Sequence, residues 1–367
     1  LLERYHQVAF CTGCEDSRDL GIDGEQGLGS HSATEFVAWY NGHPELRQYA
    51  VSLDTSEAAV VGIGDVSMDV TRMLLKPLDQ LGLTDCTDYA LSVFRQSRVR
   101  HVHLLARRGP AEAKFADKEL RDIAEMEDVA VHVDRELLEA ALLEQGLASD
   151  VQRKLAFLVE LEERDRSRRA TAGKHVHLHF LTSPRRIELA GGRVAGLVIE
   201  RNRLLADENG QIAAIGTGIE EHLNVGLVFR AVGYRGRPLN GVPFDARRGL
   251  IPNSAGRVQL KSEGEVLPRV YASGWIKRGP SGVIGTNKSD SADTAQRMLE
   301  DLRQGVVELP EKSPVGALLA ERGKRVISFA DWQKLDRIET ELGKKESRPR
   351  NKFVTVADCL QALESAL

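Results

Sequence analysis

The sequence predicts an α/β fold spread over more than one lobe, and three observations predict it. A short apolar run, Ala58-Ala59-Val60-Val61, leads into Gly62-Ile63-Gly64 and then into apolar residues at helical spacing. A second apolar run, Val99 to Ala106, follows and ends in Arg107-Arg108-Gly109-Pro110. Finally, 367 residues is too much chain for one ordinary core.

Composition narrows the function classes. Lys and Arg number 50 against 54 Asp and Glu, a net charge of −4, so no global cationic field exists to hold nucleic acid. A 42% hydrophobic and 28% charged chain is globular in composition. No apolar run approaches the ~20 residues of a spanning helix. Four cysteines are too few for a disulfide scaffold, so a reducing compartment such as the cytoplasm is expected. The chain opens Leu1-Leu2-Glu3-Arg4-Tyr5 and reaches a strand-like run, Val8-Ala9-Phe10-Cys11, almost at once. A strand needs neighbours, so further sequence is expected upstream, and targeting signals are not readable.

The first chemistry lies at the glycines. Val66, Val70, Met73 and Leu74 recur at helical spacing, so a helix starts just after Gly64. Gly62 permits a tight strand-to-helix turn, and Gly64 lets backbone approach a pyrophosphate held at the helix N-terminus. Ser67 takes the third-glycine position and is small enough for close helix–strand packing. Alone, this pattern is weak. The second strand strengthens it. Where an acidic residue normally receives a ribose 2′-hydroxyl, Arg107 and Arg108 offer two planar, permanently charged forks to a 2′-phosphate. NADP(H) is therefore expected. An inserted stretch, Lys76-Pro77 through Arg98, separates the two motifs, and a generic dinucleotide fold does not explain it.

The ordered motifs resemble adrenodoxin reductase and the bacterial ferredoxin–NADP reductases of that type. Gly13 to Glu25 and Phe36-Val37-Ala38-Trp39-Tyr40-Asn41-Gly42 resemble the connector after that family's first flavin-domain segment. The insertion matches through Thr84-Asp85, Ala90-Leu91 and Arg95-Gln96-Ser97-Arg98-Val99, followed by Lys118-Glu119-Leu120-Arg121. Further on stand Phe180-Leu181-Thr182-Ser183-Pro184, Val232-Gly233-Tyr234-Arg235-Gly236 and Ile251-Pro252-Asn253. The most specific run is Gly274-Trp275-Ile276-Lys277-Arg278-Gly279-Pro280-Ser281-Gly282-Val283-Ile284-Gly285-Thr286-Asn287-Lys288. The tail matches through Trp332, Asp336, Glu339, Gly343 and Arg348-Pro349-Arg350, so the resemblance covers essentially the whole chain.

The resemblance implies a two-lobe flavoprotein of the glutathione-reductase type, with Rossmann-like FAD and NADP domains. Its lobes would be interrupted: residues 1–14 and 240–367 in the FAD domain, 15–239 in the NADP domain, and the tail from Pro310 packed on the flavin lobe. The implied activity passes hydride from NADPH to FAD and then single electrons to a ferredoxin- or adrenodoxin-type iron–sulfur protein. Carried over, Ile63, Gly64, Asp65 and Val66 meet the nucleotide, Arg107 and Arg108 its 2′-phosphate, and Glu119 also contacts it. Trp275, Gly282, Val283 and Ile284 line the isoalloxazine, with Gly282 also near the nicotinamide. Beside that resemblance, glycines at 279, 282 and 285 clear side chains where a flat ring approaches backbone. N–H groups at the following helix would favour charge built on reduction.

Three departures follow. The chain has one dinucleotide fingerprint where the family has two, so the sequence reads as an N-terminally incomplete copy that by itself binds FAD poorly. Asp65 replaces the usual Asn, and a carboxylate beside phosphates repels them and donates nothing. Asp122 stands where the family places a Glu near the flavin; it is one methylene shorter, which puts a proton-handling or positioning role there in doubt, and no residue is assigned as catalytic beyond this possible one. Cys11-Thr12-Gly13-Cys14 closes a strand instead of opening a helix and reads as structural. His175, His177 and His179 share one strand face, and His101 and His103 are weaker candidates still; no further ligand cluster accompanies them and no metal is expected. Arg164, Arg166, Arg168, Arg169 and Lys174 are either a docking patch for an acidic ferredoxin or a solvated helix end. Two other classes stay open: a reductase subunit related to glutamate synthase, and a non-catalytic nucleotide-binding fragment if the chain truly begins at Leu1.

Overall fold

The computed structural model describes residues 1–115, 117–206, 212–282, 284–305 and 315–365. The chain divides into two compact units, Leu1–Arg18 with Gly233–Trp332, and Asp19–Val232 with Gln333–Leu367. Two of the divisions, at 18/19 and 232/233, lie near the expected 14/15 and 239/240; the third, at 332/333, has no counterpart in the expectation.

The larger unit is built on a six-stranded parallel sheet. Its strands lie in the order Ser30–Ser32, Leu227–Arg230, Glu57–Val61, His101–Leu105, Lys174–His179 and Val129–Val133. Glu57–Val61 is central, with Val61 opposite Leu105 on one side and Arg230 on the other. Its near-continuous apolar sequence is what a parallel strand covered on both faces requires. One face buries Ala58, Val60, Val102 and Leu104 against helices that include Ala33–Tyr40, Asp65–Leu75, Asp117–Ala124 and Ser149–Arg168. On the other, Ala59, Val61, Leu105 and Val228 pack on Ile187, Val194, Leu197 and Ile199 of an antiparallel meander, Thr182–Ala190, Arg193–Ala206 and Ile212–Leu223.

The insertion is explained by the tail. Arg348, its side chain 5% exposed, donates to the carbonyls of Thr84 (3.0 Å) and Cys86 and pairs with Asp88 at 2.5 Å. Lys352 pairs with Asp85 at 2.9 Å. A buried guanidinium needs acceptors, and the insertion's carbonyls supply them. The tail from Gln333 therefore belongs to the larger unit, which corrects its expected place on the flavin lobe. Residues 310–314 of that expectation lie outside the described residues.

The smaller unit holds a four-stranded sheet in the order Val8–Phe10, Val266–Ala272, Arg257–Gln259 and Asn253–Ser254, the first two parallel. Ile251, Val258, Val270, Ala272 and Ile276 form its core. Asp301 ties the helix Ile284–Arg303 to this sheet, accepting from Arg257 at 2.7 Å and from the Tyr271 hydroxyl at 2.7 Å. No helix among the described residues is long and apolar enough to cross a membrane.

Candidate functional site

At the carboxyl edge of the larger sheet the chain turns at Gly62, φ +120°, whose N–H donates to the Leu105 carbonyl at 2.9 Å. A Cβ at Gly62 would lie 2.3 Å from the Ala231 carbonyl oxygen, so the turn requires glycine. Gly64 caps the helix Asp65–Leu75, and a Cβ there would meet nothing within 4 Å. That open space leaves room for a ligand's phosphates to approach backbone. Ser67 does more than stay small: fully buried, it accepts the Gly64 N–H on Oγ at 3.2 Å and locks the turn. Ile63 and Val66 pack on the core, so they face the site with backbone, and Asp65 is exposed at the first helical position.

Arg107 and Arg108 leave the adjacent strand His101–Leu105 at the same edge, beside the glycine turn. Arg107 is exposed; Arg108 is half-buried, and its Nε is buried with no hydrogen-bond partner. Two permanent cations beside an open glycine turn, at the carboxyl ends of adjacent parallel strands, fit a phosphorylated nucleotide. Glu119 and Asp122 project from Asp117–Ala124 toward Arg72 on the fingerprint helix, at 3.9 and 3.7 Å. Asp122 is thus partnered by a guanidinium within the nucleotide unit.

In the smaller unit a cleft of about 410 Å³ opens at the carboxyl ends of the parallel pair, lined by Cys11, Gly13, Ser273, Gly274, Trp275 and Asn287 among others. Trp275 is half-exposed, donates from Nε1 to the Ser281 carbonyl at 3.1 Å, and lies 5.6 Å from the Tyr234 ring. Gly274, Gly279 and Gly282 all have positive φ, and a Cβ on Gly282 would collide with Thr286 Oγ1 at 2.2 Å. The turn's lock is a residue that sequence reasoning missed. Asp290 accepts the Gly274 N–H at 2.6 Å and the Lys277 ammonium at 2.9 Å. Burial would raise its carboxyl, but Lys277 and the Gly274 N–H hold it below the ordinary carboxylate range. Its signal was the helical spacing Thr286, Asp290, Thr294 behind the glycine run. Val283 lies outside the described residues, and Ile284 opens the helix Ile284–Arg303. These residues fit the flat end of a flavin, with open space at Gly279 as well.

The histidines form a ladder. His101 stacks on His175 at 4.7 Å, and His103 on His177 at 4.6 Å. His132, outside the sequence expectation, stacks on His177 at 4.4 Å. Their ring nitrogens pair with one another, His101 with His177 at 3.1 Å and His103 with His179 at 2.9 Å, and His103 Nε2 meets Glu57 at 3.0 Å. Burial and neighbouring imidazoles push His177 down to about 2, and burial foremost brings His132 and His179 to about 4. Among the described residues no three or more such groups converge as metal ligands. The basic run is largely engaged internally: Arg166 and Arg169 pair with buried Glu162, and Arg164 and Arg168 with fully buried Asp165. Cys14 is buried, which raises its thiol, opposite to the shift a redox pair requires.

No protein-family model matches the chain. Among curated proteins, NADPH-ferredoxin reductase FprA of Mycobacterium leprae is 39% identical over 369 residues, covering 98% of this chain and 78% of that protein. The mitochondrial NADPH:adrenodoxin oxidoreductase of Homo sapiens is 39% identical over 380 residues, covering 99% of this chain and 75% of that one. The solved structure of Mycobacterium tuberculosis FprA in complex with NADPH matches with a TM-score of 0.90 at 36% identity, over 99% of this chain and 80% of that chain. The chain accordingly belongs to the adrenodoxin-reductase-type family of NADPH–ferredoxin reductases.

Proposed function

We infer that this chain is an NADPH-dependent flavoprotein reductase that delivers electrons from NADPH, by way of FAD, to an iron–sulfur protein of the ferredoxin or adrenodoxin type. The observation that carries the reading is that two arginines and an open glycine turn leave the carboxyl ends of two adjacent parallel strands. In this role Arg107 and Arg108 hold the 2′-phosphate, and the backbone of Ile63, Gly64, Asp65 and Val66 receives the pyrophosphate. Glu119 orients the nucleotide from the neighbouring helix. Trp275, Gly282, Val283 and Ile284 hold the isoalloxazine, while Asp290 fixes the Gly274 turn that carries Trp275.

FAD, when bound, accepts two electrons as hydride and releases them one at a time. The chain's own contribution is placement: hydride transfer needs no general base, so Asp122 beside Arg72 acts by charge and position. The second lobe departs from the full requirement in one respect. The sequence contains a single strand–Gly-x-Gly–helix unit, and the nucleotide reading uses it, so the described residues supply no second one for the FAD adenosine. The test is to supply FAD to the purified chain and follow flavin absorbance as NADPH or NADH is added, then add a ferredoxin. Bleaching by NADPH far ahead of NADH, with electrons reaching ferredoxin, is expected. Equal bleaching by both nucleotides would overturn the reading.

A further inference from the structure

The loop that carries the two arginines has little structure of its own. Among the described residues between the strand ending at Leu105 and the helix starting at Asp117, it makes only the short turn Pro110–Glu112. Its backbone is held from outside at both ends. At the near end, Asn202 of the meander, 8% exposed, donates from Nδ2 to the Arg107 carbonyl at 2.9 Å and to Ser183 Oγ at 2.8 Å. The Leu181 N–H donates to the Arg108 carbonyl at 2.9 Å. At the far end, Lys154 reaches across from the long helix Ser149–Arg168. Its ammonium donates to the carbonyls of Ala113 at 2.8 Å and Phe115 at 2.9 Å, and sits 4.9 Å from the centre of the Phe115 ring. Phe115 is itself 1% exposed, so the contact is fixed in the core.

We propose that Lys154 is a positioning residue for coenzyme selection, holding the Arg107–Arg108 loop so that both guanidiniums meet the 2′-phosphate together. This rests on the nucleotide reading given above. The physical reason is that bidentate phosphate recognition depends on the aim of planar forks, and a loop with few backbone hydrogen bonds of its own takes its aim from whatever holds its carbonyls. Charge-assisted bonds to two carbonyls, next to an aromatic face, make a stiffer tether than neutral ones. The same two carbonyls lie four and two residues before Asp117, where the helix bearing Glu119 starts, so one ammonium can set both nucleotide-facing segments.

The test is calorimetric titration of the full chain with NADP⁺ and with NAD⁺, which reads binding without flavin turnover. Lys154→Met keeps the apolar stem and removes the donors. It is expected to raise the NADP⁺ Kd roughly tenfold while the NAD⁺ Kd stays within about twofold, because only the 2′-phosphate depends on the forks. Lys154→Arg restores discrimination, and Lys154→Gln, with a single amide group, falls between and serves if the Met variant does not fold. An Arg107→Ala/Arg108→Ala double variant marks the complete loss of discrimination. If the wild type prefers NADP⁺ and the double variant does not, yet Lys154→Met and Lys154→Gln leave the ratio unchanged or weaken both nucleotides alike, the Lys154 proposal is overturned and the nucleotide reading stands. If the wild type itself fails to discriminate, the nucleotide reading falls and this proposal falls with it.

Discussion

Gly62 and Gly64 look alike in sequence and should behave oppositely when each is changed to alanine. Gly62 has φ +120°, and its added Cβ would sit 2.3 Å from the Ala231 carbonyl oxygen, where backbone cannot yield cheaply. Strain of this kind costs about 1–3 kcal/mol before the overlap is counted, so Gly62→Ala is expected to lose about 3 kcal/mol of stability. Gly64 has φ −115°, and its Cβ would meet nothing within 4 Å. Gly64→Ala therefore loses only about 0.5 kcal/mol, mostly the poorer helix cap. The same methyl, however, fills the space through which pyrophosphate reaches backbone, and NADP⁺ binding should weaken by roughly a hundredfold. Urea unfolding gives the stabilities and calorimetry the dissociation constants. If Gly64→Ala destabilised the fold as much as Gly62→Ala, or bound NADP⁺ as tightly as wild type, the division into one structural and one functional glycine would fail.

Asp65 is exposed beside the expected phosphates, so Asp65→Asn should tighten NADPH binding by roughly tenfold; an unchanged dissociation constant refutes that repulsion. Asp290→Asn removes a charge-assisted lock on the Gly274 turn and should weaken flavin binding, measured by titrating the chain with FAD, while NADP⁺ binding stays as it was. The histidine ladder predicts an acid limb in the stability profile. His132, His177 and His179 titrate far below their ordinary 6.5, so below that pH the unfolded chain takes up protons that the folded chain refuses. Stability should fall as pH drops from about 6.5 toward 4, and replacing the three with Gln should flatten that limb in unfolding measurements at a series of pH values. Glu57, which favours a charged His103, works against the trend, and Arg169 beside His132 reinforces it.

Local patterns were legible because their physics is local. The strand, the Gly62 turn and the helix after Gly64 follow from apolar spacing and one backbone constraint, and they stand where the sequence puts them. Arg107 and Arg108 were readable because a strand end is a defined place on a sheet. Contacts that close over long separations were not. Arg348 reaches Thr84 across 264 residues, so nothing near either one announces that the tail belongs with the insertion. Asn202 and Lys154 hold the arginine loop from 95 and 41 residues away, and each looks like an ordinary surface residue in sequence. The basic run stayed open between two readings for the same reason. Its count of arginines was visible, but the buried Glu162 and Asp165 that engage four of them became apparent only once the helix was folded against its sheet.

The central claim is that Arg107 and Arg108 recognise a phosphate on the ribose. Its most direct test is calorimetric titration of the chain with 2′,5′-ADP and 5′-AMP, in wild type and in Arg107→Ala/Arg108→Ala. The account predicts that wild type binds 2′,5′-ADP at least a hundredfold more tightly, roughly 2.7 kcal/mol, and that the double variant binds the two almost equally. Equal binding by wild type, or a preference that survives loss of both guanidiniums, contradicts it.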